Sequence, residues 1–190
     1  MPRRPDPNLE QRILDAAQKL LRRGSERAVT MRAVAKAAGT NTPALYRRFR
    51  DRREVIFALL RRLQSDSAET VRSAATAAEA CESYLDFALG HRHEYELFFR
   101  YSHQLPRPGK GEIPLREYRP TMKVMEEKLA ESLGGLPEEH SRLSLALWAL
   151  THGTAMILIS RSLPGEHESE LRSVFSATVG SLLAKHSIRL

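Results

Sequence analysis

Three observations predict an all-α chain built from a small N-terminal helix-turn-helix domain and a larger helical body. Apolar residues recur at three- and four-residue spacing along most of the sequence, as in helices with one buried face. The stretch from Thr30 to Phe49, TMRAVAKAAGTNTPALYRRF, fits two short helices held at an angle by a tight turn. Charge divides the chain, because residues 1–63 hold 16 Lys/Arg against 6 Asp/Glu whereas residues 64–190 hold 14 against 17. A basic front on a slightly acidic remainder is the electrostatic footprint of a nucleic-acid-binding part joined to a part with another task.

Residues 1–7, with three prolines and two arginines, read either as an arm that reaches a neighbouring groove or as a plain tail. Leu9, Ile13, Ala17, Leu20 and Leu21 mark a first amphipathic helix, which Gly24 ends. Thr30 can cap the next helix, whose buried positions are Met31, Val34, Ala35 and Ala38, and Gly39 supplies the left-handed backbone that stops it. Asn41 offers a second cap and Pro43 stands in the first turn of the following helix. That helix buries Ala44, Leu45 and Phe49 to differing degrees. Thr42, Tyr46, Arg47 and Arg48 place donors and positive charge around its other side, a face that suits a DNA groove. Asp51 caps a fourth helix with Val55, Ile56, Leu59, Leu60 and Leu63 inside. No strong breaker follows before Ala75, so this helix is expected to run on without interruption from head to body.

The pattern Thr30-x-x-x-Val34-Ala35-x-x-Ala38-Gly39, followed by Leu45-Tyr46-x-x-Phe49-x-Asp51-Arg52-x-x-Val55, resembles the DNA-binding domain of the TetR family of bacterial transcriptional regulators. The resemblance spans roughly residues 9–60. Thr40, Arg48 and Arg50 depart from it, standing where a small aliphatic residue, a His and a Pro are common. It implies phosphate contacts for Thr30, Tyr46 and Arg52. It also implies base-edge or groove contacts for Thr42, Ala44 and Arg47, and a capping or backbone role for Asn41. Charge alone adds Arg48 and Arg50, whose guanidiniums can fork onto guanine or onto phosphate; the sequence leaves both open, beside a generic attraction. The domains expected are residues 1–50 for the arm and helix-turn-helix, and residues 51–190 for a helical regulatory and dimerisation domain.

In the body, Glu79 to Gly90 and His91 to Tyr101 read as helices, the second carrying Tyr95, Phe98, Phe99 and Tyr101. His103 to Pro114 is a Pro- and Gly-rich loop whose Gly-Lys-Gly lacks the spacing and the Ser or Thr of a phosphate loop. Leu115 to Leu133 reads as a helix with Met122, Val124, Met125 and Leu129 inside, closed by Gly134-Gly135 and restarted after Pro137. Leu143 to Ile159 is the most apolar stretch. It is short for a membrane span and carries Ser144, Thr151, His152, Gly153 and Thr154, so it reads as a buried helix with no membrane partner. A last helix runs roughly from His167 to Lys185. Both final helices are apolar around much of their circumference and need cover from more than one side. A second copy packed as a four-helix interface supplies it, through Leu147, Leu150, Ile157 and Leu158 of one helix and Leu171, Phe175, Val179 and Leu182 of the other. The TetR resemblance implies the same homodimer.

A pocket for a small-molecule effector is expected among the body helices, with Tyr84, Phe87, Phe98, Phe99, Met122, Met125, Trp148 and His152 as candidate lining. Such a lining suits a mostly apolar ligand with a polar handle; ordinary core packing is the other reading of each residue. Trp148-x-x-x-His152-Gly153 is similar to a signature in the regulatory domain of one TetR branch, and equally fits a core Trp beside a hydrogen-bonded His. Cys81 is the only cysteine, so no intramolecular disulfide exists; it reads as a small packed hydrophobe in a cytoplasmic protein. The N-terminus has no apolar run of a signal peptide. No nucleophile elbow or His-Glu-x-x-His motif occurs, and His91 and His93 point about 160° apart on an ideal helix, so no enzyme, metal or cofactor is expected.

The sequence therefore implies a transcriptional regulator, a repressor released from a palindromic double-stranded operator by a small, mostly apolar ligand. The alternative is a helix-turn-helix protein that acts without an effector, through DNA organisation or a protein partner.

Overall fold

The computed structural model describes residues 8–105 and 119–187, and among them finds nine α-helices and no strand. They are α1 (Leu9–Gly24), α2 (Met31–Ala37), α3 (Thr42–Tyr46), α4 (Arg52–Ser73), α5 (Ala77–Gly90), α6 (Arg92–Tyr101), α7 (Pro120–Leu133), α8 (Ser141–Ile159) and α9 (Glu168–Ser187). The N-terminal arm, the Gly-Lys-Gly segment and the start of the helix expected from Leu115 lie outside the described residues. What is described of that helix is α7.

Helix starts fall where the sequence supplies an oxygen for an unsatisfied amide. The Thr30 hydroxyl accepts from the Ala33 amide at 3.2 Å, and Asn41 Oδ1 accepts from Ala44 at 2.8 Å. Asp51 Oδ1 does the same for Glu54 at 2.8 Å, and the Thr76 hydroxyl for Glu79 at 3.1 Å. Gly39, at φ 65°, turns the chain between α2 and α3, where a side chain would strain the backbone. Gly134 and Gly135, at φ 79° and 77°, close α7 in the same way.

The chain forms two compact units, Met1–Leu63 with His93–Leu105, and Gln64–Arg92 with Pro106–Leu190. The first is a basic head. Ile13, Ala17 and Leu21 of α1, Val34 and Ala35 of α2, Leu45 of α3, and Val55, Leu59 and Leu60 of α4 are buried in it. Helix α3 has five residues, too few to hold itself together in water, so it depends on burial of Leu45 and of Phe49 just beyond it. Helix α6 also belongs largely to the head, with Glu94, Tyr95, Leu97 and Phe98 buried. The Glu94 carboxylate accepts from Gln18 Nε2 at 3.0 Å and Arg22 Nε at 2.6 Å, while Arg62 of α4 reaches Asp15 and Gln18 at 2.6 Å each. Helix α1 is thus tied by charge-assisted bonds to both α4 and α6.

In the body, α5 contacts α7, α8 and α9, and α8 contacts α7 and α9. One face of α8 is buried, carrying Leu143, Ser144, Leu147, Thr151, Thr154 and Ala155. Two of its polar members bond to backbone: the Ser144 hydroxyl donates to the Met122 carbonyl of α7 at 3.3 Å and that of Thr151 to the Leu147 carbonyl at 2.8 Å. Among the described residues the helical run Pro137–Ile159 is long and apolar enough to cross a membrane by length and composition alone. Here it packs against three protein helices.

The α8 and α9 residues expected at a dimer interface divide. Leu147, Phe175 and Val179 are buried within the chain and have no surface to offer a partner. Ile157 is exposed, and Leu150, Leu158, Leu171 and Leu182 are half-buried. The expectation fails for the first three because a helix apolar all round has two stripes, and periodicity does not say which one its own chain covers. The outward stripes are Leu145, Ala146, Ala149 and Ile157 on α8, and Val174, Ala177 and Ser181 on α9.

Candidate nucleic-acid interface and body cavity

Helices α2 and α3 build the candidate interface, and their buried sides decide what remains outside. Val34, Ala35 and Ala38 of α2 and Ala44 and Leu45 of α3 point inward. Ala44, at 9% exposure, is buried on the inner side of α3, which leaves little of its methyl for the groove contact expected of it. Tyr46 is 52% exposed, Arg47 and Arg48 are exposed, and Thr42 is half-buried beside them. These side chains, with Arg32 and Lys36 of α2, give the outer surface hydrogen-bond donors and positive charge. Sequence reading passed over Arg32 and Lys36. Their i, i+4 spacing on a short helix was the available signal.

Several residues are engaged in holding the motif. Thr30 and Asn41 spend their side-chain oxygens as caps. Arg12 of α1 donates from Nε to the Ala38 carbonyl at 3.3 Å, supporting the end of α2. The amide of Arg50 donates to Glu54 Oε2 at 2.6 Å, and its exposed guanidinium lies 3.5 Å from the same oxygen. Arg52 is half-buried and bound to the turn before α2: Nε donates to the Val29 carbonyl and Nη2 to the Glu26 carbonyl, both at 2.6 Å, and Nη2 also reaches Glu26 Oε1 at 3.1 Å. Glu26 takes a further bond from the Tyr101 hydroxyl at 2.8 Å and lies 3.4 Å from Arg100 Nη1. Burial alone would raise the Glu26 pKa, but the Tyr101 hydroxyl and the two guanidiniums outweigh it and hold the carboxyl below its usual range. The hydrogen bond to Glu26, with burial, conversely raises the pKa of Tyr101.

The body contains a small cavity of about 20 Å3, room for about one water molecule. Helix α7 contributes Thr121, Met122 and Met125, and α8 contributes Ser144, Leu147, Trp148 and Thr151. Val71 of α4 and Cys81 and Tyr84 of α5 complete the wall. Of the residues expected to line an effector pocket, Tyr84, Met122, Met125 and Trp148 border this cavity. His152 stands behind Trp148, the rings stacked at 5.3 Å with planes 2° apart, and the Arg119 guanidinium lies 5.0 Å from the Trp148 ring. Burial first, and the Arg119 charge second, lower the His152 pKa, so it is neutral at physiological pH. Phe87 stacks on His91 at 4.2 Å, away from the lining. Phe98 and Phe99 belong to the head unit, where their rings meet edge to face at 5.2 Å; they are not cavity residues.

Cys81 behaves as a packed hydrophobe, because burial pushes its thiol up to about 12 against the opposing bond from Thr151. Iodoacetamide in mildly alkaline buffer is expected to leave it unmodified in the folded protein and to alkylate it once urea unfolds the chain. Rapid modification of the native protein, read by mass spectrometry, would contradict its burial.

A helix-turn-helix with an outward row of donors on a basic head, followed by a helical body, is the architecture of a DNA-binding regulator. Residues 13–59 match the family described as bacterial regulatory proteins, tetR family, and residues 77–182 match the tetracyclin repressor-like C-terminal domain. The chain belongs to the TetR family of bacterial transcriptional regulators, and is a regulator and not an enzyme. No curated protein matches it. Among solved structures it is similar to a protein of unknown function from Rhodococcus sp. RHA1, with 25% identity over 94% of this chain and 96% of that one and a TM-score of 0.67. It is also similar to the transcriptional regulator SCO7222, a TetR from Streptomyces coelicolor, with 20% identity over 94% and 97% and a TM-score of 0.65. The multidrug binding protein EbrR, solved with imidazole, shares 22% identity over 93% of each chain with a TM-score of 0.60.

Proposed function

We propose that this regulator is a homodimeric repressor that holds a palindromic double-stranded operator and is released when a small, mostly apolar ligand enters the body. The observation that carries the DNA half is the outward placement of Thr42, Tyr46 and Arg47 on α3 beside a buried Leu45, within a head of strong positive charge. Tyr46 serves a phosphate, Arg48 a phosphate or a guanine edge, and Arg47 reads a base edge. Tyr46→Ala is expected to weaken binding to all duplexes alike, whereas Arg47→Ala relaxes preference at one base pair by about 1–3 kcal/mol. Fluorescence anisotropy with duplexes varied one base pair at a time separates the two. An unchanged affinity for Tyr46→Ala would refute its role.

The dimer is supported by the outward faces of α8 and α9. Leu145, Ile157 and Val174 are 42%, 37% and 56% exposed, and Ala146, Ala149 and Ala177 lie among them. Gly153 and Gly180 add a second sign. A mid-helix Gly costs about 1 kcal/mol relative to Ala, and a methyl at either position would meet nothing within 4 Å in this chain. A helix of a second copy passing close to both gives those glycines a reason, and a two-fold pair presents two α3 helices to a symmetric site.

The release step rests on the cavity beside Trp148 and on the neighbour EbrR being a multidrug binding protein. At about 20 Å3 the cavity must grow before it takes an effector, since drug-sized ligands occupy roughly 300–1,000 Å3. Met122 and Met125, unbranched and easily repacked, are the walls that yield. A ligand that binds the enlarged form better than the DNA-bound form lowers operator affinity by that difference. The same small volume favours the second reading, a helix-turn-helix protein that acts without an effector. Melting-temperature screening of apolar ligands, followed by operator release, decides between them.

A further inference from the structure

Arg52 stands where the family resemblance puts a phosphate contact, yet its guanidinium is hydrogen-bonded to the head, with 38% of the side chain exposed. It bridges two backbone carbonyls, Glu26 and Val29, each at 2.6 Å, and lies 3.1 Å from the Glu26 carboxylate. Those carbonyls belong to the turn Glu26–Ala28 and to the residue after it, immediately before Thr30, which caps α2. The Val29 amide closes the turn on the Glu26 carbonyl at 3.1 Å, so both anchor points move with the start of α2. From the other side, the Tyr101 hydroxyl at the end of α6 binds the same Glu26 carboxylate at 2.8 Å. One acidic side chain before the helix-turn-helix therefore receives donors from α4 and α6 together.

We propose that Glu26, Arg52 and Tyr101 are positioning residues for DNA recognition: they fix where α2 begins, and through it where α3 points, and Arg52 serves binding without touching a phosphate. The proposal rests on the DNA-binding reading above. A guanidinium forked onto two carbonyls and a carboxylate restrains direction as well as distance, which a lysine ammonium in its place does not. Tyr101 completes the restraint because a hydroxyl can donate to only one acceptor at a time, and here that acceptor is Glu26.

Salt dependence separates this role from phosphate contact. Each phosphate neutralised adds about 0.9 to the slope of log affinity against log salt, whereas a small tilt of the reading helix that spoils its base-edge contacts and leaves its cations near the phosphates lowers affinity at every salt concentration alike. The probe is the duplex that the full-length wild-type protein selects from a random pool; failure to select any duplex would sink the DNA-binding reading itself, before these variants are made. Arg52→Lys and Tyr101→Phe are each expected to weaken binding roughly 10-fold with the wild-type slope retained, about 1.4 kcal/mol in each case. Active fraction is measured by stoichiometric titration with the duplex, so that loss of folded protein is counted apart from loss of affinity. Wild-type affinity in Arg52→Lys would show that the forked guanidinium is not needed, and a slope shallower by about 0.9 in Arg52→Ala would place Arg52 on a phosphate; either overturns the proposal. So would wild-type affinity in Tyr101→Phe, or a reduced active fraction whose remainder binds normally.

Discussion

Glutamate placed at both Ile157 and Val174 is expected to leave a folded monomer that no longer holds its operator. Both side chains point away from their own chain, at 37% and 56% exposure, so the substitutions cost the monomer little, on the order of 0.5 kcal/mol. In a two-fold dimer the same patch meets its own copy, so each glutamate brings like charge and an unpaired carboxylate into an apolar contact. Loss of the second reading head removes the gain from binding two half-sites at once, roughly 10²- to 10⁴-fold. Analytical ultracentrifugation and operator titration read the two effects. A variant that still sediments as the wild-type dimer would place the interface elsewhere. Leu147→Ala or Phe175→Ala should do the reverse, lowering the melting temperature and leaving the assembly state alone, because both are buried inside the chain.

Leu45→Ala is the second large effect. Leu45 is fully buried in a five-residue helix that has little stability of its own, so its loss removes apolar contact from both sides of the turn. The expected cost is about 2–5 kcal/mol. Urea unfolding should show a destabilised head, and operator binding should fall with it. Tyr46→Ala, one position along on the exposed side, should change stability by no more than about 0.5 kcal/mol while still weakening DNA binding. Equal stability losses in the two variants would contradict the orientation of α3.

Features set by a few adjacent residues were legible in the sequence. Thr30, Asn41 and Asp51 cap where their side chains and spacing say they should, and Gly39 takes the positive φ that its place after α2 requires. Features set by distant partners were not. Nothing near Arg52 announces that it binds Glu26, and nothing near Phe98 or Phe99 tells that α6 belongs to the head. Ala44 was misplaced for a local reason: a small residue on a short helix suits either face. Leu147, Phe175 and Val179 were misplaced because α8 and α9 are apolar on several sides, and only the packed chain shows which side it closes itself. Tyr84, Met122, Met125 and Trp148 border the small body cavity, whereas the places of Phe87, Phe98, Phe99 and His152 depended on which helices meet.

The central claim is that two copies of the α2–α3 head read one symmetric DNA site. Its most direct test is to let the full-length protein select duplexes from a random pool and to sequence what it retains. The account predicts an inverted repeat, with two matching half-sites whose centres lie about one helical turn, or a whole number of turns, apart. Retention without sequence enrichment, or enrichment of a single unrepeated half-site, would contradict it.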